Sequence, residues 1–240
     1  MEGTLWCLHG GVGMAEDWRG FSVPGWAVKR VDLWRFLDCC PMSLREFGRA
    51  LNDEAAARSG RKVLMGYSMG GRLALHALMG GGSWDAAVVI SAHPGLEDLT
   101  ERATRRARDA EWAARALKSP WSEFLEAWNR QAVLDRGSSA TELRWGDRSK
   151  LELRRASVAR SFVDWSLGAQ DPLWGSLLGI RVPLLWVAGE EDGKFRALAE
   201  RAVACGGFDG WLAPGSGHRV PWESSQFPSR VGEFLERSVS

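Results

Sequence analysis

Apolar residues in this chain come in short blocks, separated by stretches of helical period. Leu5-Trp6-Cys7-Leu8 is a first apolar run ending at His9-Gly10-Gly11, and Trp26 to Leu33 contains a second strand. Ser43 then opens a helix with a capping box, since Glu46 lies three residues on; Leu44, Phe47, Leu51 and Ala55 share one face of it. Lys62-Val63-Leu64-Met65 reads as a short buried strand, and Gly70 to Leu78 as a helix that stops at Gly80-Gly81-Gly82. Ala86-Ala87-Val88-Val89-Ile90 is another buried strand.

From about Pro94 to Leu178 the pattern changes. This stretch is arginine-rich and helical in period, with segments Leu99 to Lys118, Trp121 to Asp135 and roughly Lys150 to Leu167. Strand character resumes at Pro183-Leu184-Leu185-Trp186-Val187-Ala188 and returns weakly near Phe208 to Leu212, before a closing helix with Val231, Phe234 and Leu235. The alternation predicts an α/β fold: a mostly parallel sheet flanked by helices, with an inserted helical cap. The expected division is a core of residues 1–93 and 179–240 and a cap of residues 94–178.

Composition narrows the function classes. The 240 residues suit a single domain with a large core and an insertion. A formal net charge of +1 gives no reason to expect nucleic acid or an anionic membrane as partner. No stretch approaches the length of a membrane span, and Met1-Glu2-Gly3 lacks the basic start of a signal peptide. Cys7, Cys39, Cys40 and Cys205 have neither metal-site nor disulfide-framework spacing, so a reduced, cytoplasmic setting with no metal and no cofactor is expected. Tryptophan is unusually frequent, at 14 against one tyrosine; those of the middle third (Trp112, Trp121, Trp128, Trp145, Trp165, Trp174) are read mainly as packing residues that could also line an aromatic pocket.

The candidate chemistry centres on Gly66-Tyr67-Ser68-Met69-Gly70, a G-x-S-x-G between a strand and a helix. Such a turn forces the serine oxygen out over a helix N-terminus. An activated serine needs a histidine base and an acid to orient it, here in the chain order Ser, Asp or Glu, His. The loops after the last two strands supply both: Asp192, with Glu190 as the alternative, and His218. His76 lies within a helix, His93 precedes the acid but competes for a pocket role, and His9 shapes the first loop and is a candidate substrate contact. The backbone N–H groups of Met69 and Gly11 are candidates for an oxyanion hole. Arg72, in the first turn after the serine, can reach a substrate carboxylate. Arg102, Arg105, Arg106 and Arg108 alternate with Glu101, Asp109 and Glu111, a mixture typical of a solvated helix face.

Together these residues resemble an α/β-hydrolase, and in particular the MenH-type enzymes, 2-succinyl-6-hydroxy-2,4-cyclohexadiene-1-carboxylate synthases. The matching stretches are Leu8-His9-Gly10, Gly66-Tyr67-Ser68-Met69-Gly70-Gly71-Arg72, His93-Pro94-Gly95-Leu96, Ala127-Trp128-Asn129-Arg130-Gln131, Gly189-Glu190-Glu191-Asp192-Gly193-Lys194-Phe195 and Gly217-His218. The resemblance implies a serine that, activated by histidine, removes a proton beside a carbonyl so that pyruvate is eliminated. It implies a small carboxylated substrate, with Arg72 holding a carboxylate, Arg105 as the matching cap arginine and Trp128 as a pocket tryptophan. The chain departs from the family pattern in having Asp32-Leu33-Trp34-Arg35-Phe36-Leu37-Asp38 where D-L-P-G-H-G is usual, and Asn129 where a tyrosine is common. A hydrolase of small esters, thioesters or carbon–carbon bonds, acting through an acyl-serine, and a non-catalytic binding protein are the competing readings.

Overall fold

Side chains alternate between the two faces of a strand, and Gly3–Leu8 (β1) displays this directly. Leu5 and Cys7 enter one apolar cluster, Trp6 and Leu8 another on the opposite face. The computed structural model describes residues 3–134 and 147–239. Among these, β1 is joined by β2 (Trp26–Val31), β3 (Arg61–Tyr67), β4 (Ala86–Ile90), β5 (Leu184–Gly189) and β6 (Asp209–Ala213). All pairings are parallel, in the order β2-β1-β3-β4-β5-β6. The protein therefore has the α/β-hydrolase architecture expected, a parallel sheet flanked by helices.

The helices are α1 (Leu44–Ala56), α2 (Met69–Met79), α3 (Leu99–Lys118), α4 (Trp121–Asn129), α5 (Arg155–Asp164), α6 (Gly193–Gly206), α7 (Val220–Glu223) and α8 (Phe227–Ser238). The capping box at Ser43 is present, with Ser43 Oγ accepting from the Glu46 N–H and Glu46 accepting from the Ser43 N–H. Phe47 and Leu51 of α1 and Leu73 of α2 pack on the Trp6 face, while Ala199 and Ala202 of α6 meet Val89 and Trp186 farther along the same face. Phe227, Val231, Phe234 and Leu235 of α8 cover the other. With both faces covered, β4 and β5 are apolar at every position, as strands buried on both faces of a parallel sheet tend to be. No described helix is long and apolar enough to cross a membrane.

Two boundaries differ from the periodicity. The helix expected over Trp121 to Asp135 ends at Asn129; Asp135 and Trp145 lie outside the described residues. The segment expected from Lys150 begins instead as a 3-10 turn, Arg148–Arg154, and becomes α-helical only at Arg155. Leu153 in that turn is 92% exposed, so its apolar side chain contributes no buried face to guide the helix register.

The stretch between β4 and β5 holds α3, α4 and α5, and it meets the sheet side partly through charge. Arg154 Nη1 donates to Asp32 (2.5 Å) and its Nη2 to Asp38, Ser157 donates to Asp38 (2.6 Å), and Arg160 donates to the Leu37 carbonyl (2.8 Å). Asp32 to Asp38 is thus the seam that receives α5 and the turn before it.

Candidate active site

Parallel sheets with opposite-going connections leave a crevice at the C-terminal ends of the strands where the order reverses. Here the chain goes from β1 outward to β2 and returns past β1 to β3, so that crevice lies between the ends of β1 and β3. Ser68 follows β3 there, with φ 53° and ψ −110°, in the positive-φ region that costs a non-glycine residue energy. Its N–H donates to the Ile90 carbonyl (2.8 Å), tying the turn to β4. The turn is possible because Gly66 and Gly70 touch: a Cβ on Gly66 would stand 2.3 Å from the Gly70 oxygen. Strain and close approach place the Ser68 side chain at the mouth of the crevice.

Two other strand ends deliver its neighbours. His218, in the loop after β6, lies with Nε2 3.1 Å from Ser68 Oγ and Nδ1 2.8 Å from Asp192 Oδ2, in the loop after β5. A carboxylate only accepts, so Nδ1 carries the imidazole proton and Nε2 presents its lone pair to the serine hydroxyl. Asp192 Oδ1 meanwhile accepts from the Phe195 N–H at the start of α6, which orients the carboxylate. The Phe195 and Tyr67 rings pack on the imidazole, with centroids at 4.4 and 5.6 Å. Glu190, the alternative acid, instead accepts from the Gly215 N–H. The geometry can pass a proton from Ser68 to His218 with the resulting positive charge held beside Asp192.

Ser68 opens into a cavity whose wall includes Gly11, Met69, Arg72, His93, Arg105 and Trp128, so these residues singled out from the sequence meet there. Met69 is the first residue of α2, where backbone N–H groups have no partner within the helix. Gly11 faces the Trp128 ring, to which an added Cβ would come within 3.3 Å. His9 does not join them. It is fully buried, its Nδ1 donating to the Gly10 carbonyl (2.9 Å) and its Nε2 accepting from the Leu33 N–H (3.2 Å). Burial pushes its pKa down, against the Gly10 hydrogen bond. A neutral ring with both nitrogens occupied holds the first loop to the end of β2 and has nothing left to offer a ligand.

The arginines are held in different ways. Arg72 is buried, donating from Nη1 to Gln170 Oε1 (3.0 Å) and from Nη2 to the Trp165 carbonyl (2.7 Å), both neutral acceptors. Burial, together with the nearby Arg105, lowers its pKa to about 9, which leaves it a cation at neutral pH. Arg105 donates from Nε to both oxygens of Asp109 (2.8 and 2.9 Å), and Asp109, itself buried, also accepts from Ser166 (2.7 Å). The mixed-charge run on α3 is therefore not solvated throughout. Trp128 packs edge-on against Trp112 and Phe162.

The structure adds lining residues not selected from the sequence: Arg148, paired with Asp17 (2.7 Å), and Arg219, within 3.4 Å of Asn129 Oδ1. Arg219 follows His218 directly, a signal that adjacency to the base carried; nothing in the sequence around Arg148 pointed to it.

A serine on a strand–helix turn, hydrogen-bonded to a histidine that is held in turn by an aspartate, both from later strand ends, defines an α/β-hydrolase type of site. Residues 7–231 match the alpha/beta hydrolase family, and the chain belongs to it. Within that family it falls in the MenH-like branch. It is 32% identical over 208 residues to the 2-succinyl-6-hydroxy-2,4-cyclohexadiene-1-carboxylate synthase of Pectobacterium atrosepticum, covering 81% of this chain and 80% of that one. The synthase of Serratia proteamaculans is 30% identical over 240 residues, covering 96% and 92%. Among solved structures, MenH from S. aureus superposes with a TM-score of 0.81 at 20% identity, over 100% of this chain and 96% of that one. An esterase from Rhodococcus shares the fold at a TM-score of 0.69 and 17% identity, over 98% and 90%. The last two likenesses speak to fold alone.

Proposed function

We propose that this chain is a MenH-like carbon–oxygen lyase that eliminates pyruvate from a polycarboxylated cyclohexene, giving a cyclohexadiene. The observation that carries this reading is the convergence of Arg72 and Arg105 on the cavity that holds Ser68. An ester hydrolase needs the serine, the base and an oxyanion site, but has no use for two guanidinium groups beside them.

In this mechanism His218 takes the Ser68 proton, and Asp192 stabilises the imidazolium. The Ser68 oxygen removes a ring proton next to a carbonyl. The electron pair of that C–H bond passes through the carbonyl oxygen, where the N–H groups of Met69 and Gly11 meet the negative charge. It then returns to form the second ring double bond as the C–O bond to the leaving group breaks. The departing enolate takes up the proton held by the His218 imidazolium to become pyruvate, which returns Ser68 and His218 to their starting protonation, and no acyl-serine forms. Arg72 and Arg105 hold carboxylates, and Trp128 forms an apolar wall against the ring.

Incubation with the succinyl cyclohexene substrate, with pyruvate read by a coupled dehydrogenase, tests the reading. Pyruvate release by wild type and none by Ser68→Ala is expected. No release from that substrate, with a burst of 4-nitrophenol from an activated ester, overturns it in favour of acyl-enzyme hydrolysis.

A further inference from the structure

The end of β4 carries two polar residues for which the mechanism above has no task. Ser68 N–H donates to the Ile90 carbonyl and Ser91 N–H to the Val187 carbonyl, both at 2.8 Å, so Ser91 stands between the serine turn and β5. Ser91 has φ 46°, in the left-handed region that favours glycine. It is 1% exposed, and its Oγ has no hydrogen-bond partner among the described residues. Native structures rarely leave a buried hydroxyl unpaired, and here the orphan coincides with a strained backbone. Strain retained by the surrounding structure clusters at ligand sites, and Ser91 lines the same cavity as Ser68.

His93 lines it too. The Gly95 N–H donates to its Nδ1 (3.0 Å), so the ring proton sits on Nε2, which has no hydrogen bond among the described residues. Gln170 fixes the segment: its Nε2 donates to the His93 carbonyl (3.0 Å) while its Oε1 accepts from Arg72 (3.0 Å). Burial, with the positive charges of Lys194, Arg72, Arg105 and Arg201, pushes the His93 pKa down to about 3. The ring is a neutral donor throughout the working range, in a field that favours an anion.

We propose that Ser91 Oγ and His93 Nε2 form a hydrogen-bonding subsite that takes a carboxylate oxygen of the ligand bound beside Ser68. The proposal rests on the reading that this cavity accepts a carboxylated substrate, and it names contacts beyond the arginines.

Titration of succinate and of the cyclohexadiene product into wild type and variants, followed by tryptophan fluorescence, tests it. Ser91→Gly removes the hydroxyl and takes positive φ without strain. His93→Asn keeps an acceptor near Nδ1 for the Gly95 N–H and removes the outer donor; His93→Gln restores an N–H near Nε2. Ser91→Gly and His93→Asn are expected to weaken both ligands about ten-fold or more, the loss of a hydrogen bond to a charged group. His93→Gln recovers part of that affinity, and Ser91→Gly melts no lower than wild type. Unchanged affinities in Ser91→Gly and His93→Asn overturn the subsite, as does a wild type that binds neither ligand. A lower Tm for Ser91→Gly also overturns it, because the hydroxyl then has a structural task. Pyruvate release is scored separately: its absence removes the lyase reading, while the succinate titration still decides the subsite.

Discussion

The two sides of the cavity are built by different means. On the sheet side, Ser68, Asp192 and His218 sit on turns whose backbones are tied to neighbouring strands. Ser68 N–H bonds to Ile90, Ser91 N–H to Val187 and Glu190 N–H to Ala213, at 2.8 to 3.0 Å. On the side contributed by the stretch between β4 and β5, side chains do the holding: Asp109 grips Arg105, Gln170 reaches across to Arg72 of α2, and Trp112 and Phe162 brace Trp128. Backbone ladders fix positions whatever the side chains, so the groups proposed to react are tolerant of sequence change around them. The helical wall depends on each individual side chain, and recognition can be altered there one residue at a time.

The largest effects are therefore expected on the sheet side. Ser68→Ala should lower kcat for pyruvate release by about 10³-fold or more, with product affinity nearly unchanged. Adding His218→Ala should cost little further, because the two act as a unit. Full additivity in that double variant would break the comparison, since it would mean the pair is not coupled. Arg72→Ala comes next, with an expected loss of about 10²-fold in kcat/KM, in the range for a lost charged hydrogen-bond pair. It also strips a partner from buried Gln170, so Arg72→Lys, which keeps the charge, should recover part of the activity.

The same contrast explains what could be read from the sequence. Strands buried on both faces are continuous apolar blocks, so Ala86 to Ile90 and Leu184 to Ala188 stand out; the Ser43–Glu46 pair marks a helix start by local chemistry alone. Ser68 and Asp192 were legible because each lies just past such a block; His218 follows a strand of weak apolar signal and was placed by the chain order Ser, Asp, His. The helical wall was legible only through the family resemblance, which pointed to Arg105 and Trp128; pattern and charge alone did not show it, because its residues meet only through tertiary approach. Arg105 sits in a charged run that looks solvated, and only the burial of Asp109, at 3% exposure, distinguishes it. His9 misled in the opposite direction: it borders the first loop in sequence, yet its ring turns beneath the loop to bond Leu33.

Asp109→Asn sharpens the comparison from the helical side. The neutral amide can still accept from Ser166 but no longer neutralises Arg105, whose Nε it now binds with a single oxygen. Arg105 should lose its fixed direction without losing its charge. The expected result is a rise in KM of about ten-fold with kcat changed far less, measured by pyruvate release at varied substrate. A fall in kcat with KM unchanged would place Asp109 with the reacting groups and blur the division drawn here.

The smallest effect separates the two regions by pH. His76, buried in α2, is pushed down to about 4, by burial first and then by Arg72, so the folded protein holds it neutral while the unfolded chain protonates it near 6.5. With the folded value depressed, unfolding takes up a proton between about pH 6.5 and 4, and stability falls as pH drops through that window. The seam to the helical wall behaves differently. Burial opposes it, but hydrogen bonds from Ser157 and Arg154 hold Asp38 below the ordinary aspartate range. That contribution is complete above the unfolded aspartate value and is lost only as pH falls through the lowered one. Acidification from pH 7 to 5 should thus weaken the sheet side while leaving the Arg154–Asp38 seam intact. His76→Gln should recover on the order of 1 kcal/mol of the stability lost between those pH values, measured by urea unfolding at each pH, whereas Asp38→Asn should lower stability equally at both. An equal pH slope in wild type and His76→Gln would show that the histidine is not what acid attacks first.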